Sequence, residues 1–170
     1  MVRNALKTIS DFPSRLITFS DDMDALKKIP EDYPFPEKLS QFINYPLSSI
    51  PDFIGGFSSY ADRNNHLLKD FLNQFDFDYE FISSTERYKS GYFDSFLLKI
   101  LKNYESIMEI ILPTLRKDRR ESYSPFLPIC KQSGKVLEVG ITIISKEDGL
   151  IAYKDSSNKT VETTVTKGNC

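Results

Sequence analysis

Apolar residues recur along the chain at two spacings, one typical of helices and one typical of strands. The helical spacing predicts helices over residues 1–9, from Ser58 or Ser59 to about Phe75, and over 91–112. The first has no capping residue before it, so we expect it to be the end of a longer helix. The other two follow serines that can cap them, Ser58 or Ser59 for the second helix and Ser90 for the third. Each apolar stripe favours packing against a core.

Short runs rich in β-branched and aromatic residues predict strands between and after these helices. SRLITFS (14–20) is interpreted as a buried strand, and YEFISST (79–85) as a second one. Turn signals divide the last part of the chain into three further runs, at 135–145, 149–155 and 159–167. This order predicts an α/β fold: part of a parallel sheet whose first strand lies outside the chain, followed by an antiparallel meander.

Prolines are concentrated between residues 24 and 56. Five fall in this stretch: Pro30, Pro34, Pro36, Pro46 and Pro51. Because proline removes a backbone donor and restricts its neighbours, long regular elements are excluded there. We expect an irregular excursion with at most one short helix, near Glu37 to Ile43.

Composition excludes several classes of protein. The 170 residues are 40% hydrophobic and carry a formal charge of −2, so the chain lacks the basic footprint of a free-standing nucleic-acid binder. The basic cluster Arg116 to Arg120 is interpreted as a solvated helix end. No apolar stretch approaches the roughly 20 residues of a membrane span. Cys130 and Cys170 have no metal-binding spacing and no signal peptide before them, which favours a reduced, cytoplasmic protein.

Three carboxylates, Asp21, Asp22 and Asp24, directly follow the first predicted strand. Ligands of open α/β sheets bind beyond the carboxyl ends of the strands, so these side chains are candidates to hold an ammonium group or a metal ion. The alternative is a solvated loop in which Asp21 or Asp24 caps the next turn and pairs with Lys27 or Lys28.

Other reactive residues give no catalytic or metal assignment. His66 is the only histidine and lies beside an apolar helix face. The glycines of IGGF (54–57) lack the spacing of a phosphate-binding loop and are interpreted as a turn. Cys130 has Ser133 where a zinc ribbon has its second cysteine, and one thiolate cannot build a four-ligand zinc site. We therefore assign no catalytic residue and no metal ligand in this sequence.

Three blocks in order, residues 7–34, 50–94 and 111–139, resemble the class I lysyl-tRNA synthetases. The resemblance implies a cytoplasmic ligase that activates lysine with ATP and Mg²⁺ and transfers it to tRNA(Lys), with no DNA or membrane partner. It also implies a Rossmann-type catalytic core with an inserted antiparallel region rich in β-strands. We therefore expect a partial core at 1–116, including the excursion at about 24–56, and a connective insertion at 117–170 that is incomplete at its C-terminal end.

The chain departs from this family at several points. It contains neither the His-Ile-Gly-Asn signature nor the Lys-Met-Ser-Lys-Ser-like loop, and no anticodon-binding domain. Arg63 stands where the resemblance leads us to expect a histidine. We therefore predict a fragment that is inactive alone and binds no cofactor tightly, with other polypeptides supplying the missing parts. The alternatives are a non-catalytic module that binds tRNA or a synthetase, and a non-functional truncated gene product.

The resemblance also bears on the candidate site. In related class I enzymes the acidic cluster at the strand end lies near the amino-acid substrate, which makes Asp21 the first candidate to meet an amine of lysine. Asp22 and Asp24 are expected beside it. Asn64 and Asn65 are weaker candidates for polar contacts with the substrate, and the alternative is that both are asparagines of the helix surface.

Overall fold

The computed structural model describes residues 2–10 and 12–170, without the side chains of residues 4 and 7. The helices are α1 (Val2–Ile9), α2 (Pro36–Ser40), α3 (Tyr60–Gln74), α4 (Ser84–Lys89), α5 (Asp94–Lys102), α6 (Tyr104–Ile111) and α7 (Lys117–Arg120). The strands are β1 (Ile17–Ser20), β2 (Glu80–Ser83), β3 (Ile141–Ser145), β4 (Leu150–Lys154) and β5 (Thr160–Thr164). The first predicted helix is therefore present from its second residue, and Met1 lies outside the described residues.

Two separate sheets match the predicted mixture of parallel and antiparallel pairing. β1 and β2 run parallel, with Ser20 opposite Ser83 at their carboxyl ends. β3, β4 and β5 form an antiparallel meander. The prediction that the first strand is buried is wrong: Ile17 is 49% and Phe19 44% exposed. Exposure alternates along β1, so Ile17 and Phe19 lie on the same face of the sheet, and that face is partly uncovered.

Helix α3 begins where the sequence predicts because its first turn is capped. The Ser59 side chain accepts a hydrogen bond from the Asp62 backbone N–H at 3.0 Å, which satisfies one of the free donors at the helix start. The Ser58 hydroxyl donates to the Asp62 carboxylate at 2.9 Å. The helix then runs to Gln74, so the prediction of a single element here is confirmed.

The single long helix predicted over 91–112 is wrong. It begins only at Asp94 and is divided at Asn103, which ends α5 and precedes α6. Asn103 donates a side-chain hydrogen bond to the Lys99 carbonyl at 2.8 Å. The backbone of Asn103 leaves the helical conformation, with φ −101° and ψ 21°, and asparagine favours such helix ends because its side chain bonds to nearby backbone groups. Ser90 does not cap this helix either, since it lies at the C-terminal end of α4.

The first strand of the meander is shorter than predicted, because residues 135–140 bond to loops instead of to β4. The Val136 N–H donates to the Asn44 carbonyl at 2.8 Å, and the Leu137 N–H donates to the Pro128 carbonyl at 2.9 Å. The first of these bonds holds the segment against the excursion at 24–56, and the second holds it against the loop that contains Pro128. The segment therefore forms part of the wall of the site described below.

Two apolar clusters support the molecule. The first consists of Leu26, Tyr33, Leu39 and Ile50 from the proline-rich excursion, together with Tyr60 of α3. The excursion is therefore packed, although its only α-helix is α2, which starts with a proline at a position where no backbone donor is needed. The second cluster joins α5 to the meander and contains Leu97, Leu101, Phe126, Ile151 and Val165.

Candidate functional site

The carboxyl ends of β1 and β2 bring two polar segments together. Because Ser20 and Ser83 are paired in register, Asp21 and Asp22 after β1 lie beside Ser84 at the start of α4. This is the edge at which open α/β sheets bind ligands. The carboxylates of Asp21, Asp22 and Asp24, predicted at this edge, have different environments. Their roles therefore differ.

Asp22 is buried, and its carboxylate accepts four hydrogen bonds. The donors are the Ser83 hydroxyl at 2.5 Å, the Ser84 hydroxyl at 3.0 Å, the Thr85 backbone N–H at 2.7 Å and the Asn65 amide at 3.0 Å. Both oxygens are thus occupied by donors from β2, α3 and α4. Asp22 ties the strand ends to the start of α4 and has little capacity left for a ligand.

The ionised form of Asp22 is favoured by these donors. Burial by itself would raise the pKa of Asp22, but the hydrogen bonds from Ser83, Thr85 and Asn65 outweigh it and hold the pKa below its ordinary value. A buried charge that is fully hydrogen-bonded is tolerated, whereas the same charge without partners is costly.

Of the two asparagines predicted as polar contacts, Asn64 is exposed on α3 and Asn65 reaches the strand ends. The Asn65 amide contacts Asp22, and its oxygen accepts from the Ser20 hydroxyl at 2.5 Å. Helical spacing contains the signal for this choice. Asn65 lies one turn after the buried Ala61 and therefore on the inward face of the helix, which Asn64 does not share.

Asp21 and Asp24 lie at a cavity of about 390 Å³ next to these strand ends. Tyr88 of α4 and Ser84 also line it. The remaining wall is mostly apolar and includes Phe19, Met23, Phe93, Leu97, Phe126 and Val136. Small-molecule sites commonly combine an apolar enclosure of this size with a few polar groups that fix orientation.

The charges at this cavity suit a cation. Burial raises the pKa of Asp24, and the nearby Asp21 charge raises it further, while Lys27 opposes both. Burial also raises the pKa of the Tyr88 phenol, with Asp24 and Asp21 adding to the effect. An ammonium group placed between the carboxylates would relieve their mutual repulsion. The neutral Tyr88 hydroxyl beside them can donate a hydrogen bond.

Lys27 also lines the cavity, but it does not form the ion pair with Asp21 or Asp24 that the solvated-loop alternative assumed. Its ammonium lies 2.6 Å from Glu138 Oε1. A backbone bond from the Asp24 N–H to the Asp21 carbonyl, at 3.0 Å, forms the turn between them. Sequence reasoning missed Glu138 and Tyr88 because tertiary packing alone brings them to the strand ends.

The remaining reactive residues lie apart from this cavity or form no site. His66 is half-exposed and lies 3.4 Å from Asp70, one turn along α3. Cys130 is buried, and burial raises the pKa of Cys170 to about 12, so its thiol stays protonated. Within the described part of the chain, no three His, Cys, Asp or Glu side chains come together as a metal site. None of the described helices is long and apolar enough to cross a membrane.

The fold and the acidic cavity at the strand ends fit the class I aminoacyl-tRNA synthetases, and a family model supports this class. The model described as "tRNA synthetases class I (K)" matches residues 1–170. The chain therefore belongs to the class I lysyl-tRNA synthetase family.

Curated relatives agree with this family. The chain is 48% identical over its full length to the lysine–tRNA ligase of Rickettsia bellii (strain OSU 85-389), 47% to that of Rickettsia conorii and 46% to that of Rickettsia akari. It covers 33% of the first two proteins and 32% of the third. The chain thus spans about a third of the length of the curated relatives it matches.

Proposed function

We propose that the chain works as part of a lysine–tRNA ligase, in which its cavity receives lysine. The complete reaction joins lysine and ATP into lysyl adenylate with release of pyrophosphate, and then transfers the lysyl group to tRNA(Lys). ATP, with its Mg²⁺, and tRNA(Lys) are substrates of the complete ligase, which we expect to act in the cytoplasm. Family membership and the acidic cavity support this proposal.

The observation that carries the proposal is the combination of an apolar wall with Asp21 and Asp24 at one cavity. Lysine has four methylene groups that gain by leaving water and an ammonium group that must keep charged or polar partners. An apolar wall serves the first requirement and the two carboxylates serve the second. Tyr88 adds a neutral hydroxyl at the same place.

Asp22 and Asn64, also predicted as substrate contacts, receive different roles. We assign Asp22 to positioning, because its oxygens are already bonded to β2, α3 and α4. It holds Ser84 at the start of α4, and through that helix it supports Tyr88 against the cavity. We leave Asn64 without a lysine contact, since it is exposed and does not line the cavity.

The chemistry on ATP is assigned to other parts of the ligase. Residues 1–170 contain neither of the two signatures that the family uses around the ATP phosphates. We therefore propose that this chain supplies a lysine-binding wall and that activation requires the segments that carry those signatures. The division into a partial core at 1–116 and an insertion at 117–170 stays a prediction.

Lysine binding tests this proposal directly. Isothermal titration of the 170-residue chain with L-lysine and with norleucine, which lacks the side-chain ammonium, should show binding of lysine only. Asp21→Asn and Asp24→Asn should each weaken lysine binding about tenfold, because each removes a charge-assisted contact worth roughly 1.4 kcal/mol. Asp32→Asn is the matched control, since Asp32 is exposed and lies outside the cavity wall. Equal binding of lysine and norleucine would contradict the proposal.

A further inference from the structure

The cavity already contains one cation of its own. The Lys27 side chain lines the wall, and its ammonium lies 2.6 Å from Glu138 Oε1 and 3.3 Å from Asn44 Oδ1. Glu138 lines the same wall but comes from the segment that precedes β3. The Lys27–Glu138 pair therefore joins two parts of the chain at the wall of the cavity.

Lys27 is related electrostatically to more than one carboxylate of the cavity. Its hydrogen bond is the largest effect on the pKa of Glu138, which it lowers. It also opposes the effects of burial and of Asp21 on Asp24. The Lys27 ammonium thus stands in the field of two carboxylates that a ligand ammonium would seek.

The pair has the properties of an exchangeable contact. Both side chains are half-exposed, at 50% each, and exposed ion pairs contribute little to stability. A lysine side chain is a flexible four-carbon stem that keeps its charge in water when it leaves a partner. Breaking the pair leaves Glu138 free to meet another ammonium at little cost.

We propose that Glu138 is a third ligand-binding carboxylate of the cavity and that Lys27 pairs with it while no ligand is bound. The side-chain ammonium of a bound ligand then replaces the Lys27 ammonium at Glu138. This inference rests on the proposed function and adds a specificity element to it. Binding at Glu138 then requires a ligand with an ammonium group that can replace that of Lys27. A ligand with a neutral side chain of the same length cannot make this exchange, and the Lys27–Glu138 ion pair then stays formed.

The exchange predicts opposite effects for its two partners. Lys27→Met should tighten L-lysine binding severalfold, because the ligand no longer competes with an internal ammonium. Glu138→Gln should weaken it, and the weakening should be larger in the Lys27→Met background, where Glu138 is already free. Lys28→Met is the matched control, since Lys28 is exposed beside Lys27 but does not line the cavity, and it should leave binding unchanged.

Titration calorimetry of five chains, the wild type, the three single variants and the Lys27→Met/Glu138→Gln double variant, provides the test. Each is titrated with L-lysine, and with norleucine as the neutral ligand. Thermal melts verify that each variant is folded. If the wild type binds lysine and either Lys27→Met or Glu138→Gln binds it with the same affinity, the exchange is overturned. The proposed function would remain intact in that case. Tighter binding of norleucine by Lys27→Met, to the same degree as lysine, would also overturn the exchange. Absence of lysine binding in both the wild type and Lys27→Met would overturn the inference together with the proposed lysine site.

Discussion

At the scale of single residues, three neighbouring aspartates have different roles because their surroundings differ. Asp22 is buried and accepts hydrogen bonds from three elements, whereas Asp21 and Asp24 are exposed at the edge of the cavity. The sequence predicts the cluster from its place after β1, but it contains no sign of which carboxylate turns inward. That choice depends on Ser83 and Asn65, which are distant in the sequence.

Replacement of Asp22 tests its positioning role. Asp22→Asn should lower the free energy of unfolding by about 2–4 kcal/mol at pH 7, because it removes a buried charge and disturbs its donors. Urea unfolding measures this loss, with the exposed neighbour Asp21→Asn as the control, which should change it by about 0.5 kcal/mol or less.

The pH dependence of the free energy of unfolding provides a second test of Asp22. The pKa of Asp22 is lowered in the folded state, so its contribution is complete above the ordinary aspartate value and is lost as the pH falls through the folded value. The difference between wild type and Asp22→Asn should therefore shrink below about pH 4. A difference that stays constant from pH 7 to pH 3 would contradict the role assigned to Asp22.

At the scale of elements, local signals were sufficient where the structure is locally determined. α3 has a capping serine and one apolar stripe, and it was predicted within a residue or two of its ends. The single helix predicted over 91–112 is wrong because its apolar stripe continues across Asn103, where the backbone leaves the helical conformation. The prediction that residues 135–140 belong to the first strand of the meander is wrong, because their backbone bonds to loops that tertiary packing brings close.

The turn between β3 and β4 supplies a prediction at this scale. Gly149 has φ +69°, and a Cβ atom there would lie 2.9 Å from Leu98 Cδ2 and 3.4 Å from Val165 Cγ2. Gly149→Ala should therefore lower the free energy of unfolding by about 1–3 kcal/mol, from backbone strain and overpacking. Gly140→Ala is the control, because the nearest atom to its Cβ is 4.0 Å away. Equal urea midpoints for the two variants would contradict this account of the turn.

At the scale of the whole molecule, the cavity depends on segments that are far apart in the sequence. Phe19 and Tyr88 come from the part with the parallel strands, whereas Phe126 and Val136 come from the later part, and the second apolar cluster joins α5 to β4. The strand-end rule predicted one acidic side of the site. The opposite wall, including Glu138, could not be predicted, because no local pattern relates it to β1.

The most direct test of the central claim, that this cavity binds lysine for a lysine–tRNA ligase, is a graft. The segment of the Rickettsia bellii ligase that matches residues 1–170 is replaced by this chain, and lysine transfer to tRNA(Lys) is measured as a function of lysine concentration. We expect an active chimera in which Asp24→Asn raises KM for lysine about tenfold and changes kcat less, because a binding contact is lost. A folded chimera that transfers no lysine, or whose KM is unchanged by both Asp21→Asn and Asp24→Asn, would contradict it.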